Sequence, residues 1–172
     1  MITKLGIEAF ERVFSIMEAS FPLDEYRKKE EQRALFEEEP YQLYGVLQED
    51  GTIIAFAAIW DLEEVAFLEH LAVNPDCRNG GIGGRFLQSL IETLQKPICL
   101  EVELPDNDLA RRRIGFYERN GFHLNEYDYT QPAMSEGRNE IPLLLMTSGK
   151  GLDEEAFCHM RDLLYQKVYK KI

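Results

Sequence analysis

The sequence predicts an α/β (α+β) fold, a mixed and mostly antiparallel central sheet with helices on both faces. Three observations predict it. The hydrophobic period changes from helical to alternating after Pro40. Two β-rich apolar runs are joined by Glu49-Asp50-Gly51-Thr52, and Asp-Gly between such runs signals a hairpin. A strand, a glycine-started amphipathic helix and another strand then follow within residues 64–104, which reads as a β-α-β unit. At 172 residues, with no linker, repeat or low-complexity tract, the chain reads as one domain over 1–172.

The elements follow in order. Phe10, Val13, Phe14 and Met17 recur at helical spacing and predict a helix over 7–20, ended by Phe21-Pro22. The charge-dense stretch 24–39 carries only Tyr26, Leu35 and Phe36 as large apolar residues and predicts a second, largely solvated helix, stopped by Pro40. Strands are predicted over 41–48, 53–60 and 64–73, the last closed by Asn74-Pro75-Asp76. Ile82, Phe86, Leu90, Ile91 and Leu94 share the inward face of a helix over 80–96. A strand over 98–104, a helix over 108–119 ended by Asn120-Gly121, and strands over 122–130 and 141–147 come next. The segment between those two strands is polar and reads as a mobile surface loop. A last helix over 152–170 has acids at its start and lysines at its end, which suits the helix dipole.

Composition narrows the function. Asp and Glu total 31 against 19 Lys and Arg, a formal charge of -12. Phosphate contacts dominate nucleic-acid affinity, so this balance disfavours nucleic acid, and it disfavours a polybasic membrane surface equally. No apolar run approaches the roughly 18 residues of a membrane span, and the N-terminus lacks the form of a signal peptide. The three cysteines, Cys77, Cys99 and Cys158, show no CxxC pair, and His70, His123 and His159 show no metal spacing. The expectation is a cytoplasmic protein without a metal or disulfides.

The most informative stretch runs from Leu71 to Arg85. A strand leads into Gly80, Gly81, Gly83 and Gly84, four glycines within five residues, and then into the amphipathic helix. Free N–H groups at a helix start bind anions, and missing Cβ atoms let a phosphate approach. Arg78 and Arg85 add local positive charge to an acidic chain. The ligand expected here is a phosphate or pyrophosphate. The P-loop pattern is absent, and a dinucleotide fingerprint read from Gly81 fails at Phe86.

Arg78-x-x-Gly81-x-Gly83 resembles the acyl-coenzyme A signature of the GNAT superfamily of N-acetyltransferases. The resemblance extends upstream to Leu71-Ala72-Val73-Asn74-Pro75. Downstream it takes in Asn107-x-x-Ala110 and Phe116-Tyr117-Glu118-Arg119-Asn120-Gly121-Phe122, and it covers about residues 41–147 in all. One departure is that Asn107 and Tyr117 lie about one helical turn further apart than is usual in the family. The resemblance implies a GNAT-like acyl-CoA N-acyltransferase fold. It implies acetyl-CoA as co-substrate, bound by Leu71, Val73, Arg78, Asn79, Gly80, Gly81, Ile82, Gly83, Gly84 and Asn107. It further implies Tyr117 as the acid that protonates the leaving thiolate and Glu69 as the base that takes the amine's proton.

Strand alternation puts Glu69 on one face with Leu71 and Val73, and His70 on the other with Ala72. His70 competes for the role of base, because histidine titrates near neutral pH. Glu101 and Glu103 share a face of the next strand and could line an acidic acceptor cleft, as could Glu63 and Glu64; Tyr127, Tyr129, Gln131 and Pro132 are candidates to cover it. Arg111-Arg112-Arg113 reads as a solvated helix face. No activated nucleophile is evident, so the expected reaction is direct acetyl transfer to a primary amine in a ternary complex. Net acidity favours a cationic acceptor. The alternative is a non-catalytic acyl-CoA-binding regulatory module of the same fold. Monomer and homodimer both stay open.

Overall fold

The computed structural model describes residues 2–78 and 80–171. Seven strands form one sheet: β1 (Thr3–Leu5), β2 (Tyr41–Leu47), β3 (Ile53–Asp61), β4 (Ala66–Val73), β5 (Ile98–Glu103), β6 (Phe122–Gln131) and β7 (Ile141–Ser148). Their spatial order is β1-β2-β3-β4-β5-β7-β6. Every pairing is antiparallel except β4 with β5. The helices are α1 (Phe10–Ser20), α2 (Lys29–Ala34), α3 (Ile82–Leu94), α4 (Asp108–Arg119) and α5 (Glu154–Lys167). The mixed, mostly antiparallel sheet with helices on both faces is the fold that the sequence predicted.

Each sheet face has its own core. Phe10, Val13 and Met17 of α1 and Phe157 and Leu164 of α5 pack on Phe56, Trp60, Phe67 and Leu145. On the other face, Phe86, Leu87 and Leu90 of α3 and Ile114 of α4 pack on Ile59, Leu68, Leu100 and Met146. Fully burying one such side chain contributes about 1.5–3 kcal/mol. The β2–β3 turn forms as its Asp-Gly signal requires: Gly51 takes φ +87°, a conformation that favours glycine.

Three expectations are corrected. The strand β1, too short to carry a period, was not anticipated; it pairs with β2 from Thr3 opposite Gly45 to Leu5 opposite Leu43. The single helix expected over 24–39 is broken into α2 and two short 3₁₀ turns, Leu23–Glu25 and Leu35–Glu37. Tyr26 is extended where the helix is interrupted, and Tyr26 and Arg27 are buried there. The loop between β6 and β7, expected to be mobile, is tied to the α1–α2 connection, although Glu136, Gly137, Asn139 and Glu140 stay exposed. Its Ser135 hydroxyl accepts from Lys28 N at 3.0 Å, and Asn139 N donates to the Asp24 carboxylate at 2.9 Å.

Buried Asn125 joins β6, β7 and the approach to α5. Its amide donates to Leu145 O and the Thr147 hydroxyl, both at 3.1 Å, and accepts from Leu152 N at 2.8 Å. Asn125→Ala leaves those groups without their buried partner. The expected cost is about 2–3 kcal/mol, read as a lower urea midpoint with an unchanged slope.

Candidate active site

The parallel pair β4–β5 is joined over only three residues, Ala66–Leu68 against Ile98–Leu100. Beyond Leu68 and Leu100 the strands part. The outer half of β4 keeps its partner on the β3 side alone, and the outer half of β5 keeps β7 alone. A cleft of about 590 Å³ opens between them. Backbone polar groups along both parted edges have no ladder partner there, which suits an extended ligand that adds as a strand.

A β-bulge sits where the strands part. Leu68 faces Ile59 and His70 faces Ala58, so Glu69 is the extra residue of β4. This corrects the alternation expected for the strand. The bulge sends both Glu69 and His70 toward the α1 face, while Leu71 and Val73 pack on the α3 face. The Glu69 side chain is 1% exposed, yet the residue as a whole is only half-buried, so its backbone is what meets the cleft.

Arg27 binds Glu69 with both ends of its fork, Nη2 to Oε1 at 2.9 Å and Nη1 to Oε2 at 3.1 Å. Burial opposes ionisation of Glu69, but the guanidinium outweighs it and holds the carboxyl below the usual carboxylate range. His70 is buried against Phe21, and its Nε2 lies 2.7 Å from Glu25 O. Burial pushes its pKa down, so the ring is neutral at neutral pH and donates that bond. Neither Glu69 nor His70 has the free, titrating side chain expected of a base.

At one end of the cleft stands the glycine loop. Gly80 and Gly81 take φ +74° and +72°, which side-chain-bearing residues rarely adopt, and Gly81 caps α3 without a side-chain bond. The first helical-turn bond runs from Arg85 N to Gly81 O, so the N–H groups of Ile82, Gly83 and Gly84 have no intrahelical partner. A Cβ on Gly83 would lie 3.6 Å from Val73 Cγ2 and 3.7 Å from Phe116 Cζ, ordinary contacts. Packing therefore does not require glycine at 83. Arg78 donates to Val73 O at 3.2 Å and to the Ser20 hydroxyl at 3.3 Å, beside the loop.

The cleft brings together Leu71, Val73, Arg78, Gly80, Gly81, Ile82, Gly83 and Gly84 with Glu69 and Tyr117. Asn79 lies outside the described residues. Asn107 is not among the lining residues; it caps α4, its side chain accepting from Ala110 N at 2.9 Å. Tyr117 packs between Phe116 and Phe122, and burial pushes its phenol up to about 12.

The opposite end is acidic. Glu25, Glu101 and Glu103 line it with Glu69. Burial pushes the Glu101 carboxyl up to about 7 against the hydrogen bonds of two tyrosines. Burial and the neighbouring Glu103 push Glu25 up to about 7 as well. Arg113 approaches Glu103 at 3.5 Å, and Arg112 and Arg113 line the cleft instead of standing in a wholly solvated row. Gln131 also lines it, whereas Glu63, Glu64, Tyr127 and Pro132 do not. Sequence reasoning missed Arg27, Glu25 and Tyr169. Arg27 and Glu25 sit in a charge run with no distinguishing period, and Tyr169 lies near the end of the chain with no motif around it.

Comparison with known proteins fits this geometry. The model of the acetyltransferase (GNAT) family matches residues 10–122. This is a family of acyl-group transferases with a splayed sheet, and the chain belongs to it. A protein of Bacillus subtilis (strain 168), YjbC, is 28% identical over 152 residues, covering 87% of this chain and 77% of that one. A solved Bacteroides thetaiotaomicron structure ascribed to the GNAT family is 37% identical, covers 98% of both chains and superposes with a TM-score of 0.86. The ribosomal-protein-S18-alanine N-acetyltransferase of Escherichia coli shares the fold at 22% identity, with a TM-score of 0.66 over 90% of this chain and 96% of its own. The family uses acetyl-CoA as co-substrate. Among the described residues, no helix is long and apolar enough to cross a membrane, and no His, Cys, Asp and Glu group is arranged to hold a metal.

Arg27→Met isolates the carboxylate in the bulge. A buried, unpaired Glu69 costs about 3–5 kcal/mol at neutral pH. The sign of the pH dependence then reverses. In the native protein the depressed Glu69 pKa gives stability above its unfolded value of 4.5, lost as pH falls through the folded value. In the variant the Glu69 pKa rises, so the deficit shrinks as pH drops toward 4.5. Urea titrations of both proteins at pH 7 and pH 5 measure the deficit and its narrowing.

Proposed function

We propose that the chain is an N-acetyltransferase that moves an acetyl group from acetyl-CoA directly to a primary amine in a ternary complex. One observation carries the reading: a single cleft has an anion-receiving glycine loop at one end and a neutral-pH carboxyl, Glu101, at the other. The backbone N–H groups of Ile82, Gly83 and Gly84, with Arg78, Gly80 and Gly81, fit the donor's pyrophosphate. The unpaired edge of β4 at Leu71 and Val73 fits its amide-containing arm, and a β4 N–H at the bulge fits the thioester oxygen. Asn79, the remaining expected loop residue, stays in this donor set. Asn107 contributes through the start of α4.

Glu69 was expected to be the base; we assign that step to Glu101. Arg27 occupies both Glu69 oxygens, whereas the Glu101 carboxyl, at about 7, accepts and releases a proton near neutrality. Glu69 then acts through the backbone it shapes. Glu101 takes the proton of the incoming ammonium, and the freed amine attacks the thioester carbon. The C–N bond forms, the C–S bond breaks, and Tyr117, protonated up to about 12, gives its proton to the leaving sulfur and is restored by the second proton that the acylated nitrogen sheds. Buried Cys99, whose thiol is pushed far up, is unsuited to a covalent route. The four carboxylates at the acceptor end favour a cationic amine. The three free cysteines suit a cytoplasmic setting.

Calorimetric titration with acetyl-CoA tests the donor half. Gly83→Ala is expected to keep or raise thermal stability, because alanine favours helix by about 1 kcal/mol, while weakening acetyl-CoA binding at least tenfold, about 1.4 kcal/mol. Equal affinity for both proteins would remove the loop from the donor site.

A thiol-release assay with spermidine, lysine methyl ester and a peptide beginning with alanine tests the acceptor half. Activity should rise with pH through about 7 as Glu101 ionises. Glu101→Gln and Tyr117→Phe should each lower kcat about 10²–10⁴-fold, with acetyl-CoA affinity kept. A protein that binds acetyl-CoA but acetylates none of these amines would support the non-catalytic module instead.

A further inference from the structure

The first two residues after α5 are buried, Val168 continuing the apolar stripe of Phe157 and Leu164. Val168 is 3% exposed and Tyr169 is 8% exposed. The Tyr169 hydroxyl lies 2.8 Å from Glu101 Oε1 and 2.9 Å from Oε2, so it donates to the carboxylate between its two oxygens. Tyr129 of β6 donates to Oε2 at 2.5 Å. Glu101 thus receives two phenol hydrogens from two separate elements. Both phenols are donors with no charge of their own, since burial and the Glu101 carboxylate push their pKa values well above 10.

We infer that Tyr169, together with Tyr129, is a positioning residue of the acceptor site: it fixes the Glu101 carboxylate at the cleft wall and favours its ionised form. The inference rests on the reading of Glu101 as base. A carboxylate that only closed the core would need no opening to the cleft, yet Glu101 lines it. Two fixed donors leave the carboxylate's remaining lone pairs for the incoming ammonium. They also oppose the burial that would otherwise keep the group protonated. The chain end thereby becomes part of the catalytic half of the molecule, more than sixty residues along the sequence from the group that it serves.

Other groups face Glu101 and set the background for its titration. Glu69 of β4 and Glu25 of the α1–α2 connection raise its pKa. Arg27 stands close enough to act on both Glu69 and Tyr169. Tyr165 of α5 and Cys99 of β5 also lie within its field. None of these is altered by Tyr169→Phe, which removes one hydroxyl and leaves the ring.

The test is a carboxyl ¹³C NMR titration of the full chain labelled at glutamate Cδ, with the Glu101 signal assigned by its loss in Glu101→Gln. It needs no acceptor. The native midpoint is expected near 7. Tyr169→Phe and Tyr129→Phe should each move it upward by about one pH unit. The acidic limb of kcat/KM in the thiol-release assay should move with it, the rate recovering at high pH. Tyr165→Phe is the control: it removes a hydroxyl of the same chain end that donates to Thr130 O instead, and it should leave the midpoint in place. An unmoved midpoint in Tyr169→Phe overturns the positioning role, even if Glu101→Gln abolishes transfer. Full transfer by Glu101→Gln overturns the base assignment instead, whatever the midpoint does.

Discussion

The paired charges of Arg27 and Glu69 hold the point at which β4 leaves β5. A bulge adds one residue to β4, and that residue's carboxylate is clamped by an arginine from the α1–α2 connection. Two buried ions in a fork-to-fork arrangement leave little freedom of angle. The strand is bent there, its phase is shifted, and its backbone is turned to the opening. Everything downstream depends on that bend. Leu71 and Val73 meet the α3 side because of the shifted phase, and the glycine loop begins where the redirected strand ends.

The cleft divides by chemistry. One end is made of backbone: a helix start, two left-handed glycines and an unpaired strand edge. Backbone N–H groups carry partial positive charge and suit an anion without adding side chains that would crowd it. The other end is made of carboxylates held by specific partners. Arg27 keeps Glu69 ionised, while Glu101 is poised near neutrality between burial and two tyrosine hydroxyls. Paired carboxyls driven to different pKa values can take different roles within a few ångströms.

The glycine-loop end of the cleft was legible in the sequence because its demands are local. Gly80, Gly81, Gly83 and Gly84 fall within five residues, and the strand before them and the helix after them have clear periods. The acidic end was less legible because its residues meet only in space. Arg27 comes from a charge run that reads as solvent-facing helix, Tyr129 from β6 and Tyr169 from the chain end. The alternation rule also failed at Glu69, since one inserted residue inverts the facing of every later side chain. Asn107, expected in the donor site, caps α4 with its side chain. Capping asparagines and ligand-binding asparagines look alike in a sequence.

Hydrogen–deuterium exchange with and without saturating acetyl-CoA tests the central claim most directly, that the parted edge of β4 and the start of α3 form one donor site. Amides of Glu69–Val73 and of Ile82–Gly84 should slow together on adding the donor, while those of β2 and the outer edge of β6 stay as they were. Protection confined to another surface, or binding with no change at either segment, would contradict the account.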